Sequence, residues 1–416
     1  MPTSKSHMAR PAHLHPSDLQ GLARLAVEGV IGTTSLVEQL HHTIARVSPP
    51  LGKPREGTTS GITGLVYRSI HGITGAVGGA TGLAFDAIVP RLGRRASTPQ
   101  REQILATLNG VLGDHLDASA NPLAIGMRLR QAGRPLELRA DKLNNAIQRP
   151  RRKLLVALHG LCMNDLQWAG NAEGSDPGLP ASLASTLDYT PLFLHYNTGR
   201  HISTNGRAFA ALMEQLIDQW PAPVEEIVLL GHSMGGLLAR SALHYAQAAD
   251  HQWHKHVSRL VTLGSPHHGA PLERIGNRVD RLLAASPYSA PFTRLGRIRS
   301  AGITDLRHGN LLDEDWNATD RFSQPGDQRG IVKRPGHIVH HVVAATTGTH
   351  AESVRSRLIG DGLVTLDSAL GRHPDPRLDL DIPPELQSIA WATNHLGLIH
   401  CPEVRETVYR WLARAR

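Results

Sequence analysis

At 416 residues with 40% hydrophobic side chains, the chain can bury one large core and carry an appendage, and its two cysteines, Cys162 and Cys401, exclude a disulfide framework or a cysteine-built zinc site. The formal net charge of +8 is spread along the chain and aromatic residues make up 4%, so no stretch reads as a nucleic-acid face. The first ten residues carry positive charge with no apolar core behind them, which does not read as a secretory signal, so cytoplasmic residence is the expectation.

Two helices are signalled first. Ser17 to Gln20 and Ser35 to Glu38 both fit the capping box, and after the second Leu36, Leu40, Ile44 and Val47 share one face up to Pro49-Pro50. Residues 51–60 read as a Gly/Pro/Thr linker. In Gly61–Pro90, 17 residues without a formal charge lie between Arg68 and Asp86, interrupted by Gly72, Gly75, Gly78, Gly79 and Gly82. That is short of the roughly 20 apolar residues of a membrane span. The expectation is a pair of glycine-rich helices packed on the main domain, with at most weak peripheral membrane contact through Arg68, Arg91, Arg94 and Arg95. A further helix starts at Thr98-Pro99. Residues 1–118 thus read as an N-terminal helical region and 119–416 as the main domain.

Beyond Asn121-Pro122 the period becomes two, with Met127 and Leu129, then Leu136 and Leu138, flanking a Gly133 turn: a hairpin. The basic cluster Arg149, Arg151, Arg152 and Lys153 reads as a solvated approach to the next strand. From there apolar strand-like runs at 154–158, 191–195, 226–230, 259–263, 338–345 and 387–392 alternate with helical stretches, the clearest at 206–219, 236–248 and 396–414. Such alternation predicts an α/β fold with a mostly parallel sheet covered by helices on both faces.

The run Ile227–Leu230 leads directly into Gly231-His232-Ser233-Met234-Gly235-Gly236 and then a helix, the pattern of a nucleophile elbow. A side chain at Gly231 or Gly235 would collide with the neighbouring strand or helix. Ser233 is the candidate nucleophile. The first parallel strand ends in His159-Gly160-Leu161-Cys162, and the backbone N–H groups of Leu161 and Met234 are the candidate oxyanion hole. His395, between the last strand and the terminal helix, is the candidate base, with His400 its competitor five residues on. Asp361, between glycines, is the candidate orienting acid, while Asp367 reads as a helix N-cap. The order Ser, Asp, His suits an α/β-hydrolase. Cys162 reads as packing and the His267-His268 pair as a structural turn, and neither a metal nor an organic cofactor is expected.

These motifs, with Tyr196-Asn197-Thr198-Gly199-Arg200-His201, Gly264-Ser265-Pro266-His267-His268-Gly269, Gly360-Asp361-Gly362 and His395-Leu396-Gly397-Leu398, resemble α/β-hydrolase lipases and esterases over about residues 150–416. The nearest group is that of bacterial proteins similar to the catalytic domain of the eukaryotic GPI inositol-deacylase. The resemblance implies Ser233 as nucleophile with Asp361 and His395 as partners, and hydrolysis of carboxylic esters, lipid-like ones favoured. Residues 270–335 read as a cap insertion over the serine, its arginines interleaved with Leu and Ile and, with eight acids in the same segment, read as solvated surface. An acyltransferase using the same triad, or a non-catalytic membrane-associated scaffold, are the alternatives.

Overall fold

In the computed structural model, residues 15–45, 68, 71–77, 79–80, 97–170, 176–270, 299–317, 327–349 and 360–414 are described. Two compact units are distinguished, one holding the chain up to Ala124, the other Ile125–Arg274 with Ser300–Arg416.

In the first unit, the two expected N-terminal helices are one, α1 (Pro16–Ala45). No proline falls between positions 17 and 48 to interrupt it, and the Ser35 hydroxyl donates back to the Ile31 carbonyl at 3.0 Å instead of capping a new helix. Helix α2 (Pro99–Ala118) begins as expected: Thr98 is its N-cap, with its hydroxyl oxygen accepting from the Arg101 N–H, and Pro99 opens the first turn. Arg101 also donates twice to the buried Asp18 carboxylate, and burial, which would raise that carboxyl, is outweighed by this pairing, so its pKa is lowered. Asn121 donates to the Gly21 carbonyl and Asn109 to that of Leu123. Of the glycine-rich segment, residues 68, 71–77 and 79–80 are described, all helical. The rest of it, the 51–60 linker, and Arg91, Arg94 and Arg95 lie outside the described residues, as do Val47 and the side chains of 36–45.

The second unit opens with the expected hairpin, β1 (Arg128–Gln131) and β2 (Arg134–Pro135), followed by the short helix α3 (Ala140–Ala146). Strand and helix then alternate: β3 (Lys153–Leu158), α4 (Leu179–Leu187), β4 (Thr190–His195), α5 (Ile202–Gln219), β5 (Glu226–His232), α6 (Met234–Ala248), β6 (Val257–Leu263). The short helices α7 (Ala301–Asp305) and α8 (Glu314–Asn317) precede β7 (Val339–Ala345), and α9 (Leu366–Ala369), β8 (Gln387–Ala390) and α10 (Pro402–Ala413) complete the chain. The eight strands form one sheet in the order β2-β1-β4-β3-β5-β6-β7-β8, parallel from β4 to β8, with β1 antiparallel to both neighbours.

Period-two alternation assigns the sheet residues to two cores. Leu154, Val156, Leu158, Ile227 and Leu229 pack against Phe209 and Met213 of α5 and Leu238 and Ala242 of α6. Leu155, Ala157, Val228 and Leu230 face the other way, onto Leu179 and Leu183 of α4 and Val408 and Trp411 of α10. Strands buried on both faces read as continuous apolar runs, which is why they were legible. The basic cluster lies on the surface, Arg151, Arg152 and Lys153 facing Asp188, Glu225 and Glu226. The terminal helix starts six residues later than its predicted 396, because Pro402 takes the first helical position and cannot donate into a preceding turn. A separate 3₁₀ turn occupies Gly397–His400.

Candidate active site

Strand β5 runs in mid-sheet between β3 and β6, and Ser233 stands at its carboxyl end with φ 54° and ψ −124°, a conformation costing on the order of 1–3 kcal/mol for a residue with a side chain. Close packing holds it there. A Cβ on Gly231 would sit 2.5 Å from the Gly236 nitrogen, and one on Gly235 would collide with the Leu158 carbonyl. The Ser233 N–H donates to the Leu263 carbonyl at 2.9 Å, anchoring the elbow to β6. Ser233 is 8% exposed, and its hydroxyl makes no hydrogen bond to another described residue.

Asp361 and His395 come from loops at the same sheet edge, after β7 and β8. The His395 Nδ1–H donates to Asp361 Oδ2 at 2.6 Å, and the His395 N–H donates to the Asp361 carbonyl. A carboxylate can only accept, so Nδ1 carries the proton and Nε2 is left as the acceptor. The other carboxylate oxygen, Oδ1, accepts from the N–H groups of Leu363 and Val364 at 3.0 and 2.8 Å. Asp361 is thereby fixed at both ends in a site 2% exposed. Gly264 connects this pair to the elbow. It follows Leu263, and a Cβ built on it would lie 3.3 Å from both His395 Cε1 and Asp361 Oδ2. The competitors are elsewhere: His400 is exposed at the end of the 3₁₀ turn, and Asp367 is exposed within α9. The N-cap of that helix is Thr365, whose hydroxyl accepts from Ser368 N–H, a correction to the reading of Asp367; the shorter Thr side chain one position before the helix occupies the capping geometry.

The loop after β3 lies against the elbow, a Cβ on Gly160 falling 2.9 Å from the Ser233 Cβ. Among the described residues, nothing accepts from the N–H groups of Leu161 and Met234. Cys162, in the left-handed region at φ 59°, donates its N–H to the Thr198 hydroxyl, and burial pushes its thiol up, away from the reactive thiolate.

Residues 159–351 match the profile of the PGAP1-like alpha/beta domain. The chain carries an α/β-hydrolase fold that resembles this family. Among solved structures it is similar to the mature lipase BlEst2 of Bacillus licheniformis, at 18% identity over 69% of this chain and 97% of that one, with a TM-score of 0.41. It is similar also to lipase 1 of Pelosinus fermentans (13% identity, 64% and 100% covered, TM-score 0.37) and to the esterase Pf2001 of Pyrococcus furiosus (16%, 63% and 80%, 0.34). No curated protein matches the chain.

Three residues support the candidate site without having been singled out in the sequence. Tyr196 O–H donates to the His159 carbonyl at 2.8 Å and its ring stacks on the His159 imidazole, while Thr198 holds Cys162, so the segment after β4 props the loop after β3. His232 donates from Nε2 to the His395 carbonyl at 3.0 Å, tying the elbow to the base. Burial takes both His159 and His232 down to about 3, so they act as neutral supports. All three lie inside the quoted motifs, but their pairing crosses 36 to 163 positions of sequence. Of residues 270–335, the described portion places Leu306, Leu311 and Leu312 in an apolar cluster with Ile202, Met234 and Leu237, beside Leu161. Arg274, Arg278, Arg281, Arg294 and Arg297 lie outside the described residues. His267 and His268 are buried and hydrogen-bonded to Thr262 and Arg329 respectively. No helix among the described residues is long and apolar enough to cross a membrane.

Proposed function

We propose that this chain is a serine hydrolase that cleaves carboxylic esters, lipid-like ones among them, through an acyl-serine intermediate. The observation that carries the reading is the 2.6 Å Asp361–His395 hydrogen bond, at the same sheet edge as a serine held in a strained elbow. His395 Nε2 takes the Ser233 proton as the hydroxyl attacks the ester carbonyl. The carbonyl oxygen becomes an oxyanion received by the N–H groups of Leu161 and Met234, the second being at the positive end of α6. His395 returns the proton to the departing alcohol. Water, activated by the same imidazole, then cleaves the acyl-serine bond. Asp361 holds Nδ1 protonated and steadies the imidazolium at each stage.

Residues 1–118 are proposed as a separate helical region and 270–335 as a cap whose Leu306, Leu311 and Leu312 border the acyl side of the site. Ester hydrolysis is tested by comparing the wild type with Ser233→Ala on p-nitrophenyl esters of increasing acyl length. Activity should be lost in the variant at every length, and a variant retaining more than about a tenth of wild-type turnover would remove Ser233 from the mechanism.

A further inference from the structure

A cavity of about 230 Å³ lies between α6 and the segments at 329–335 and 377–380, and none of Ser233, Asp361 or His395 lines it. Arg240 stands seven residues along α6 from the elbow, roughly 10 Å at the helical rise. Five cationic side chains line it, Arg240, Arg329, Lys333, Arg334 and Arg377, of which Arg329 and Arg377 are paired with Asp327 and Asp375, beside the carboxylates Asp315 and Asp379. Asp315 and Asp379 are already engaged. Asp315 accepts from the N–H groups of Leu311, Leu312 and Gly330, and Asp379 from those of His373 and Asp381.

Arg240 is the informative member. Its guanidinium carries five N–H donors. One faces His267 Nδ1 at 3.4 Å and one the Val332 carbonyl at 3.3 Å, and among the described residues no carboxylate pairs with it. Its orientation is set from behind. Arginine can only donate, so His267 Nδ1 is the acceptor and His267 donates from Nε2 to the Thr262 hydroxyl, which in turn faces His340 Nε2. Burial, and then the charge of Arg329, press Arg240 down to about 9, so a cation is kept in a place that disfavours it. Lys333 and Arg334 are exposed at the same cavity and form no ion pair with a described residue. A partly buried guanidinium with spare donors beside the exposed cations Lys333 and Arg334 is the geometry that takes up a tetrahedral oxyanion by charge-assisted hydrogen bonds. The volume falls below the roughly 300–1,000 Å³ of drug-sized pockets, which suits a compact head group and not an acyl chain.

We infer that this cavity is a binding site for a phosphate group, separate from the ester-cleaving centre and borne either by a lipid head group or by a free phosphorylated molecule. The test reads binding, not hydrolysis. The full chain is titrated calorimetrically with inorganic phosphate, and separately sedimented with phosphatidylcholine vesicles with and without phosphatidic acid. Lys333→Gln/Arg334→Gln, both exposed, should fold normally and weaken binding by about tenfold or more. Arg240→Gln should abolish it. Hydrolysis of a neutral p-nitrophenyl ester by the Lys333/Arg334 variant should equal that of the wild type, which separates this site from the serine mechanism. Variant-sensitive binding of phosphate together with phosphatidate vesicles assigns the lipid head group, and such binding of phosphate with none of vesicles assigns a free molecule. Absence of binding to both probes, or binding that Lys333→Gln/Arg334→Gln leaves unchanged, would overturn the inference.

Discussion

Asp361→Asn replaces one carboxylate oxygen with an amide NH2, and the surroundings decide which. Leu363 and Val364 both aim N–H groups at Oδ1, so the amide oxygen takes that position and the NH2 faces His395 Nδ1. A donor there forces Nδ1 to accept and shifts the imidazole proton to Nε2, where it blocks uptake of the Ser233 proton. Turning the amide over restores the useful tautomer but sets an NH2 against two backbone N–H groups, at about 1–3 kcal/mol for each donor left unmatched. The productive orientation is then disfavoured by about 2–6 kcal/mol, or roughly 30-fold to 10⁴-fold. Loss of the negative charge beside the imidazolium adds to this, so kcat should fall by about 10³-fold or more, with KM little changed. Steady-state hydrolysis of p-nitrophenyl butyrate, with circular dichroism to confirm folding, measures it. A folded variant with more than about a tenth of wild-type kcat would refute the assignment of Asp361.

Other perturbations follow from the same geometry. His400→Ala and Asp367→Asn touch exposed groups outside the triad and should change kcat less than about threefold, by the same assay. Thr198→Val removes the acceptor of the Cys162 N–H and loosens the loop that presents Leu161, which should lower kcat about tenfold while sparing KM. Stability should fall as pH drops. His159 and His232 protonate near 6.5 when unfolded and at about 3 when folded, so between those values the unfolded chain binds more protons, and at pH 5 each disfavours the native state by on the order of 2 kcal/mol. Urea unfolding at pH 7 and pH 5 checks this, and an unchanged midpoint would contradict the burial of these two neutral imidazoles.

The parts of this chain that could be read in sequence are those fixed by local chemistry. Ile227–Leu230 is apolar because β5 is covered on both faces, and Gly231 and Gly235 are required where the backbone passes too close to Gly236 and Leu158 for a Cβ. The fold class and the relation of Ser233, Asp361 and His395 to strand ends followed from such signals. What escaped depends on contacts far apart in the chain. Two capping boxes looked like two helices because nothing local shows the Ser35 hydroxyl bonding to Ile31 instead. Thr365, not Asp367, caps α9, a choice between two capping residues two positions apart that only backbone angles decide. The ties from His232 to His395 and from Thr198 to Cys162 were silent, as was the cavity that gathers Arg240, Lys333, Arg334 and Arg377. Each joins residues whose neighbourhood exists only after the strands of the sheet have paired.

The central claim is that Ser233 is a nucleophile activated by His395. Incubating the wild type and His395→Ala with a fluorophosphonate and locating the adduct by peptide mass spectrometry tests it most directly. A single adduct on Ser233 of the wild type, formed far more slowly in His395→Ala, is the predicted result. An adduct on another residue, or hydrolysis of p-nitrophenyl esters by a protein whose Ser233 stays unmodified at saturating probe, would contradict it.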